Sequence, residues 1–85
     1  MAILRRMPPH TARAPIVPAL GAWLAERRRG LGLTRRELAR RAGVSAVNYG
    51  LVERGVIRPR ARTLDALAAA LGVERDELAR LAAQC

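Results

Sequence analysis

Apolar residues recur along this chain at three- and four-residue steps, in five short runs separated by glycines. Leu20, Trp23 and Leu24 mark the first run, extended by Leu31 or by the stem of Arg27. Leu38, Ala39 and Ala42 mark the second, and Tyr49 and Val52 the third. Leu64, Leu67, Ala68 and Leu71 form the fourth, and Leu78 with Leu81 the fifth. This is the helical period, and no β-branched alternating run competes with it. The spacing predicts helices over 18–29, 35–42, 46–54, from about Ala61 or Thr63 to Leu71, and 75–83.

The boundaries carry their own chemistry. Pro18 suits a first helical position, where an N–H has no partner to lose. Thr34 is an N-cap with Glu37 three residues on, so each can satisfy a free N–H of the first turn. Leu33 and Leu38 flank that cap as a hydrophobic staple, and Val73 and Leu78 repeat the arrangement. Gly43 ends the second helix, Val44 is a buried-type residue in the turn, and Ser45 caps the third helix. Gly55 and Gly72 are further stops. Helices this short are not stable alone. The stretch from Thr34 to Arg54 therefore reads as two helices pinned by a tight turn, needing a scaffold and leaving one face of the third helix outside.

Composition narrows the core. There is no Phe, one Tyr and one Trp in 85 residues, so the interior is Leu, Val and Ala around closely spaced helices. A domain of this size buries only about 60% of its unfolded surface. The fold class is accordingly all-α, a single five-helix domain over 18–85, preceded by a basic, Pro-containing arm over 1–17. That arm holds Arg5, Arg6 and Arg13 and no helical period, which suits a flexible segment. It reads as a leader, as a DNA-touching arm, or as a partner contact through Ile3, Leu4, Ile16 and Val17.

Charge changes the picture more. The formal net charge is +9, and all sixteen basic residues are arginine. Residues 27–62 carry eleven arginines against Glu37 and Glu53, while residues 63–85 carry two against four acidic residues. Such asymmetry points to a polyanion partner. The plainer alternative is a solvated arginine surface.

Catalytic and metal chemistry find little to work with. His10 is the one histidine and Cys85 the one cysteine, which makes no metal set, no internal disulfide and no cofactor site. Asp76 and Glu77 are adjacent and suit the N-terminal dipole of the fifth helix. No phosphate-cradling glycine loop or nucleophile motif is present. The chain is expected not to be an enzyme. No run approaches the ~20 apolar residues of a membrane span, and Met1–Met7 lacks a signal-peptide core, so a cytoplasmic protein is expected.

The stretch G-L-T-R-R-E-L-A-R-R-A-G-V-S-A-V-N-Y-G-L-V-E-R-G, followed by T-L-D-A-L-A-A-A-L-G-V-E-R-D-E-L, resembles the lambda-repressor-like, Xre/Cro-type helix-turn-helix DNA-binding family. The resemblance spans roughly Leu20 to Leu81. It implies a five-helix bundle that puts its third helix into the DNA major groove, in a protein that commonly represses transcription as a dimer. In that pose Ser45, Ala46, Val47, Gly50 and Leu51 face base edges. These positions are often polar in the family; here they are mostly small or apolar, so readout is expected to favour thymine methyl groups and DNA shape.

Thr34, Arg35, Asn48, Arg54, Arg58, Arg60 and Arg62 are placed for phosphates or a minor groove. Arg28 and Glu53 match family positions that form an ion pair near the core. The implied function is a sequence-specific regulator of double-stranded DNA, most simply a repressor or autoregulator of a small operon, binding an inverted repeat as a homodimer. With no other domain in the chain, the dimer contact is expected on helix 5 (Leu78, Leu81, Ala82), on the loop before helix 4, or on the arm. Two rivals use the same fold: a protein-interaction module of the antitoxin kind, and a nonspecific nucleic-acid binder driven by arginine.

Overall fold

The computed structural model describes residues 17–84. It contains α1 (Pro18–Gly30), α2 (Arg35–Ala42), α3 (Ala46–Glu53), α4 (Ala61–Leu71) and α5 (Arg75–Ala82), with no strand among the described residues. α3 and α5 each end one residue short of the range predicted from spacing, at Glu53 and Ala82, with Arg54 and Ala83 as C-caps.

The caps explain where the helices start. Thr34 Oγ1 accepts from the Glu37 N–H at 3.0 Å while Glu37 Oε1 accepts from the Thr34 N–H at 2.8 Å, a closed capping box. That interaction with the Thr34 backbone holds the Glu37 carboxyl below its ordinary value. Ser45 Oγ accepts from the Asn48 N–H at 3.0 Å and starts α3.

The turn between α2 and α3 depends on Gly43, whose φ is +73°. In that left-handed conformation the Val44 N–H turns back to the Ala39 carbonyl and the Gly43 N–H to Arg40, satisfying carbonyls that the helix end would orphan. Gly55, with φ +76°, closes α3 the same way. Its own carbonyl accepts from the Val17 N–H at 3.2 Å.

That bond corrects the domain boundary. Val17, expected in the arm, is fully buried in the core beside Leu20 and Leu24. The rest of the arm, residues 1–16, lies outside the described residues, as do Arg5, Arg6, His10, Arg13 and Cys85. Leu31 is a second correction: it sits at the exposed end of α1, 48% accessible, rather than on the inner face.

The core joins Leu20 and Leu24 of α1 to Leu33, Leu38 and Ala39, to Tyr49 and Val52 of α3, to Leu64, Leu67, Ala68 and Leu71 of α4, and to Leu78 and Ala82 of α5. Of the residues expected to form staples, Leu33, Leu38 and Leu78 belong to this cluster and Val73 packs against it. α1, α2, α4 and α5 form the scaffold, and α3 is seated on α1 and α2. Fully burying a Leu or Val contributes roughly 1.5–3 kcal/mol, and residues such as Tyr49 and Val52 hold α3 by that term.

Gly21 makes the α1–α3 seat possible. A Cβ built there would lie 2.3 Å from the Glu53 carbonyl oxygen and 3.1 Å from that of Val52. The two helices meet backbone to backbone at this point. The apolar pattern alone did not single out Gly21; a glycine between Leu20 and Leu24, inside an otherwise amphipathic helix, was the signal available.

Leu78 and Ala82 correct the dimer expectation. They are 0% and 6% accessible within the protomer's own core, because α5 must close the bundle over α1 and α4. Of the three helix-5 residues proposed for a partner, Leu81 alone stays partly exposed.

Candidate nucleic-acid interface

α3 has two faces with different jobs. Its inward positions are Tyr49, Val52 and Glu53, all buried. Its outward positions follow from the same geometry: a four-residue step from Ala46 reaches Gly50, and three- and four-residue steps from Val47 reach Gly50 and Leu51. Val47 is 76% accessible, Ser45, Ala46 and Asn48 are exposed, and Gly50 and Leu51 are half-buried. None of these belongs to the core cluster. The five residues expected to face bases are therefore brought together on one outward surface.

The inward end of α3 is fixed by an ionic junction. The Glu53 side chain is 3% accessible. Its Oε2 accepts from Arg28 Nε at 2.7 Å and from the Tyr49 hydroxyl at 2.6 Å. Its Oε1 accepts from Arg28 Nη2 at 3.1 Å and from Arg35 Nε at 2.6 Å. Arg28 Nη1 continues to the Leu33 carbonyl at 2.8 Å. The carboxylate thus ties α1, α2 and α3, and Arg28 extends the junction to the α1–α2 connection.

The expected Arg28–Glu53 pair is present, and two partners went unforeseen. Tyr49 stands one turn before Glu53 on the same face, a spacing visible in the sequence. Arg35 reaches Glu53 only because α2 and α3 are folded together.

Titration behaviour follows from this arrangement. Burial alone would push the Glu53 carboxyl up, but hydrogen bonds from Arg28, Tyr49 and Arg35 prevail and hold it at about 2. Burial, with the hydrogen bond to the Glu53 carboxylate, raises the Tyr49 hydroxyl well above its ordinary value. The hydrogen bond to Glu53 outweighs burial at Arg28 and raises it too.

The remaining expected contacts separate into two neighbouring surfaces. Arg35 and Arg54 line a shallow hollow of about 230 Å³ together with Ala46, Val47 and Gly50. Arg35 is half exposed while its Nε is held by Glu53, so the guanidinium is oriented by the buried junction. The second surface is a groove of about 850 Å³ lined by Asn48, Val52 and the stretch from Ile57 to Thr63, which brings in Arg58, Arg60 and Arg62. Arg60 is the N-cap of α4 and makes no side-chain capping bond.

Thr34 and Ser45 use their oxygens as acceptors inside their caps; each hydroxyl keeps a proton to donate. Arg58 differs from its neighbours. Its guanidinium donates to the Ala82 carbonyl, tying the loop to the C-terminal end of α5, where a cation is favoured by the helix dipole.

No group of three or more His, Cys, Asp or Glu residues among the described ones could hold a metal ion. No helix among them is long and apolar enough to cross a membrane.

Comparison with known proteins agrees with this geometry. The helix-turn-helix family profile matches residues 24–78. The restriction-modification controller protein C.AhdI from Aeromonas hydrophila is similar in structure, with a TM-score of 0.69 and 34% identity over 73% of this chain and 94% of that one. Two structures of the clp gene regulator ClgR from Corynebacterium glutamicum are similar as well. One has a TM-score of 0.67 and 32% identity over 84% of this chain and 92% of that one. The other has a TM-score of 0.69 and 33% identity over 82% and 74%. No curated protein matches the chain significantly.

Proposed function

The chain belongs to the lambda-repressor-like, Xre-type helix-turn-helix family, and from that premise we propose that this DNA-binding transcriptional regulator is a sequence-specific repressor of a small operon. In this reading α3 lies in the major groove of an inverted repeat, with two copies of the chain on half-sites about one helical turn, roughly 34 Å, apart. The observation that carries it is the outward face of α3: Val47 stands 76% accessible, clear of the core, with Arg35 and Arg54 at its borders.

Roles follow from placement. Ser45, Ala46, Val47, Gly50 and Leu51 meet base edges. Arg35, Arg54, Arg60 and Arg62, with Thr34 and Asn48, grip phosphates on either side. Arg58 serves the loop that carries Arg60 and Arg62, through its bond to α5. The dimer contact uses Leu81, the loop before α4, or the arm, since Leu78 and Ala82 are taken up by the core. Regulators of restriction-modification and of clp genes among the similar structures favour a role in gene control and give no support to an enzymatic one.

Selection of bound duplexes from a random pool, followed by affinity measurement across salt, tests the proposal. A repressor keeps its preference for one duplex over random DNA as salt rises, whereas equal affinity for every duplex identifies a nonspecific binder. Absence of duplex binding at low salt would leave a protein-interaction module as the better reading.

A further inference from the structure

Gly50 has no structural reason to be glycine. It sits in the middle of α3, where glycine weakens a helix relative to alanine, and a Cβ added there would meet nothing within 4 Å. Its φ is not in the left-handed region that would require it. Gly21 is the contrast, since there a Cβ would strike the Glu53 carbonyl. Gly50 lines the shallow hollow with Ala46, Val47, Arg35 and Arg54 on the outward face, and its missing side chain leaves that space open.

The α3 residues lining that hollow, Ala46, Val47 and Gly50, carry no hydrogen-bonding side chain, and the other two lining residues, Arg35 and Arg54, are cationic. In the major groove the one apolar group a base pair offers is the 5-methyl of a pyrimidine. The two guanidinium groups suit the phosphates and acceptor atoms around it.

We propose that Gly50 is a specificity-determining residue, opening a seat for the 5-methyl group of a pyrimidine, so that this regulator recognises thymine through its methyl and accepts 5-methylcytosine at the same position. The inference rests on the DNA-binding reading above. It makes cytosine methylation within the site a means of changing affinity. Thymine and 5-methylcytosine share the methyl and differ at the neighbouring exocyclic atom, which Ala46, Val47 and Gly50 do not probe.

The test uses the full chain and its selected duplex. Each thymine is replaced in turn by uracil, which removes only the methyl. Cytosine and 5-methylcytosine are then compared at the sensitive position, opposite guanine. Losing one buried methyl weakens binding roughly fourfold, and 5-methylcytosine is expected to recover a similar factor over cytosine.

Gly50→Ala and Gly50→Leu fill the seat. Gly50→Ala is expected to raise Tm by roughly 4–8 °C while lowering affinity for the thymine duplex, and in Gly50→Leu the uracil penalty should disappear. A preferred site with no uracil-sensitive position overturns the inference alone, as does a uracil penalty unchanged in Gly50→Leu. Gain on thymine without gain on 5-methylcytosine restricts the seat to thymine and overturns the methylation claim. A selection that returns no preferred duplex overturns the DNA reading and this inference together.

Discussion

The two faces of α3 lie on opposite sides of one short helix and obey different rules. On the inner face Tyr49 and Val52 fill the core, and the Glu53 carboxylate receives four hydrogen bonds from Arg28, Arg35 and Tyr49. On the outer face Ser45, Ala46, Val47, Gly50 and Leu51 lie outside the core cluster, and Gly50 even gives up helix stability. The inner face sets where the helix stands, and the outer face is left free to meet something else. The comparison teaches that stability and recognition can be altered separately on one eight-residue helix.

The largest expected effect breaks the inner face. Glu53→Ala leaves Arg28 buried without its anion and should cost about 3–5 kcal/mol, read by urea denaturation. For a small domain whose total is on the order of 5–15 kcal/mol, that leaves little fold. Arg35 also loses its anchor, so DNA affinity should fall further than stability alone explains.

Acid tests the same carboxylate without mutation. Its folded value of about 2 lies below the ordinary 4.5, so its contribution is complete above pH ~4.5 and is lost as pH falls toward ~2, on the order of 3 kcal/mol. Tyr49 works in the opposite direction: its raised value makes stability fall as pH rises above ~10. A stability profile flat through the acid range would contradict the junction.

Gly21→Ala comes next. The added Cβ forces α1 and α3 apart, and overpacking of this kind costs about 1–3 kcal/mol. The same substitution at Gly50 should have the opposite sign, so the pair of alanine variants sharpens the contrast between the faces. The smallest effect is at the cap: Thr34→Ala should cost about 1 kcal/mol, read as a shift in Tm.

Much of the scaffold was legible because it is local. Thr34 with Glu37, Gly43 with Val44, and Ser45 announce the helix-turn-helix from sequence spacing alone, and the outward set on α3 follows from helical steps. What escaped depends on contacts distant in sequence. Gly21 is explained only by Glu53 across the α1–α3 seat, 32 positions on. Arg35 looked like a free phosphate ligand because nothing local shows that its Nε lands on Glu53. Arg58 found Ala82 from 24 residues away. Helix 5 misled for a simpler reason, since Leu78, Leu81 and Ala82 form an apolar stripe whether they meet a partner or the chain's own core. Burial in the folded protein shows that Leu78 and Ala82 face inward.

The central claim is that the outer face of α3 reads the duplex. Val47→Glu and Leu51→Glu place a carboxylate against DNA at positions outside the core, so the most direct measurement is their affinity for the selected duplex alongside their Tm. The account predicts a loss of roughly 100-fold or more in affinity with Tm near that of the parent. Undiminished binding by folded variants would contradict it.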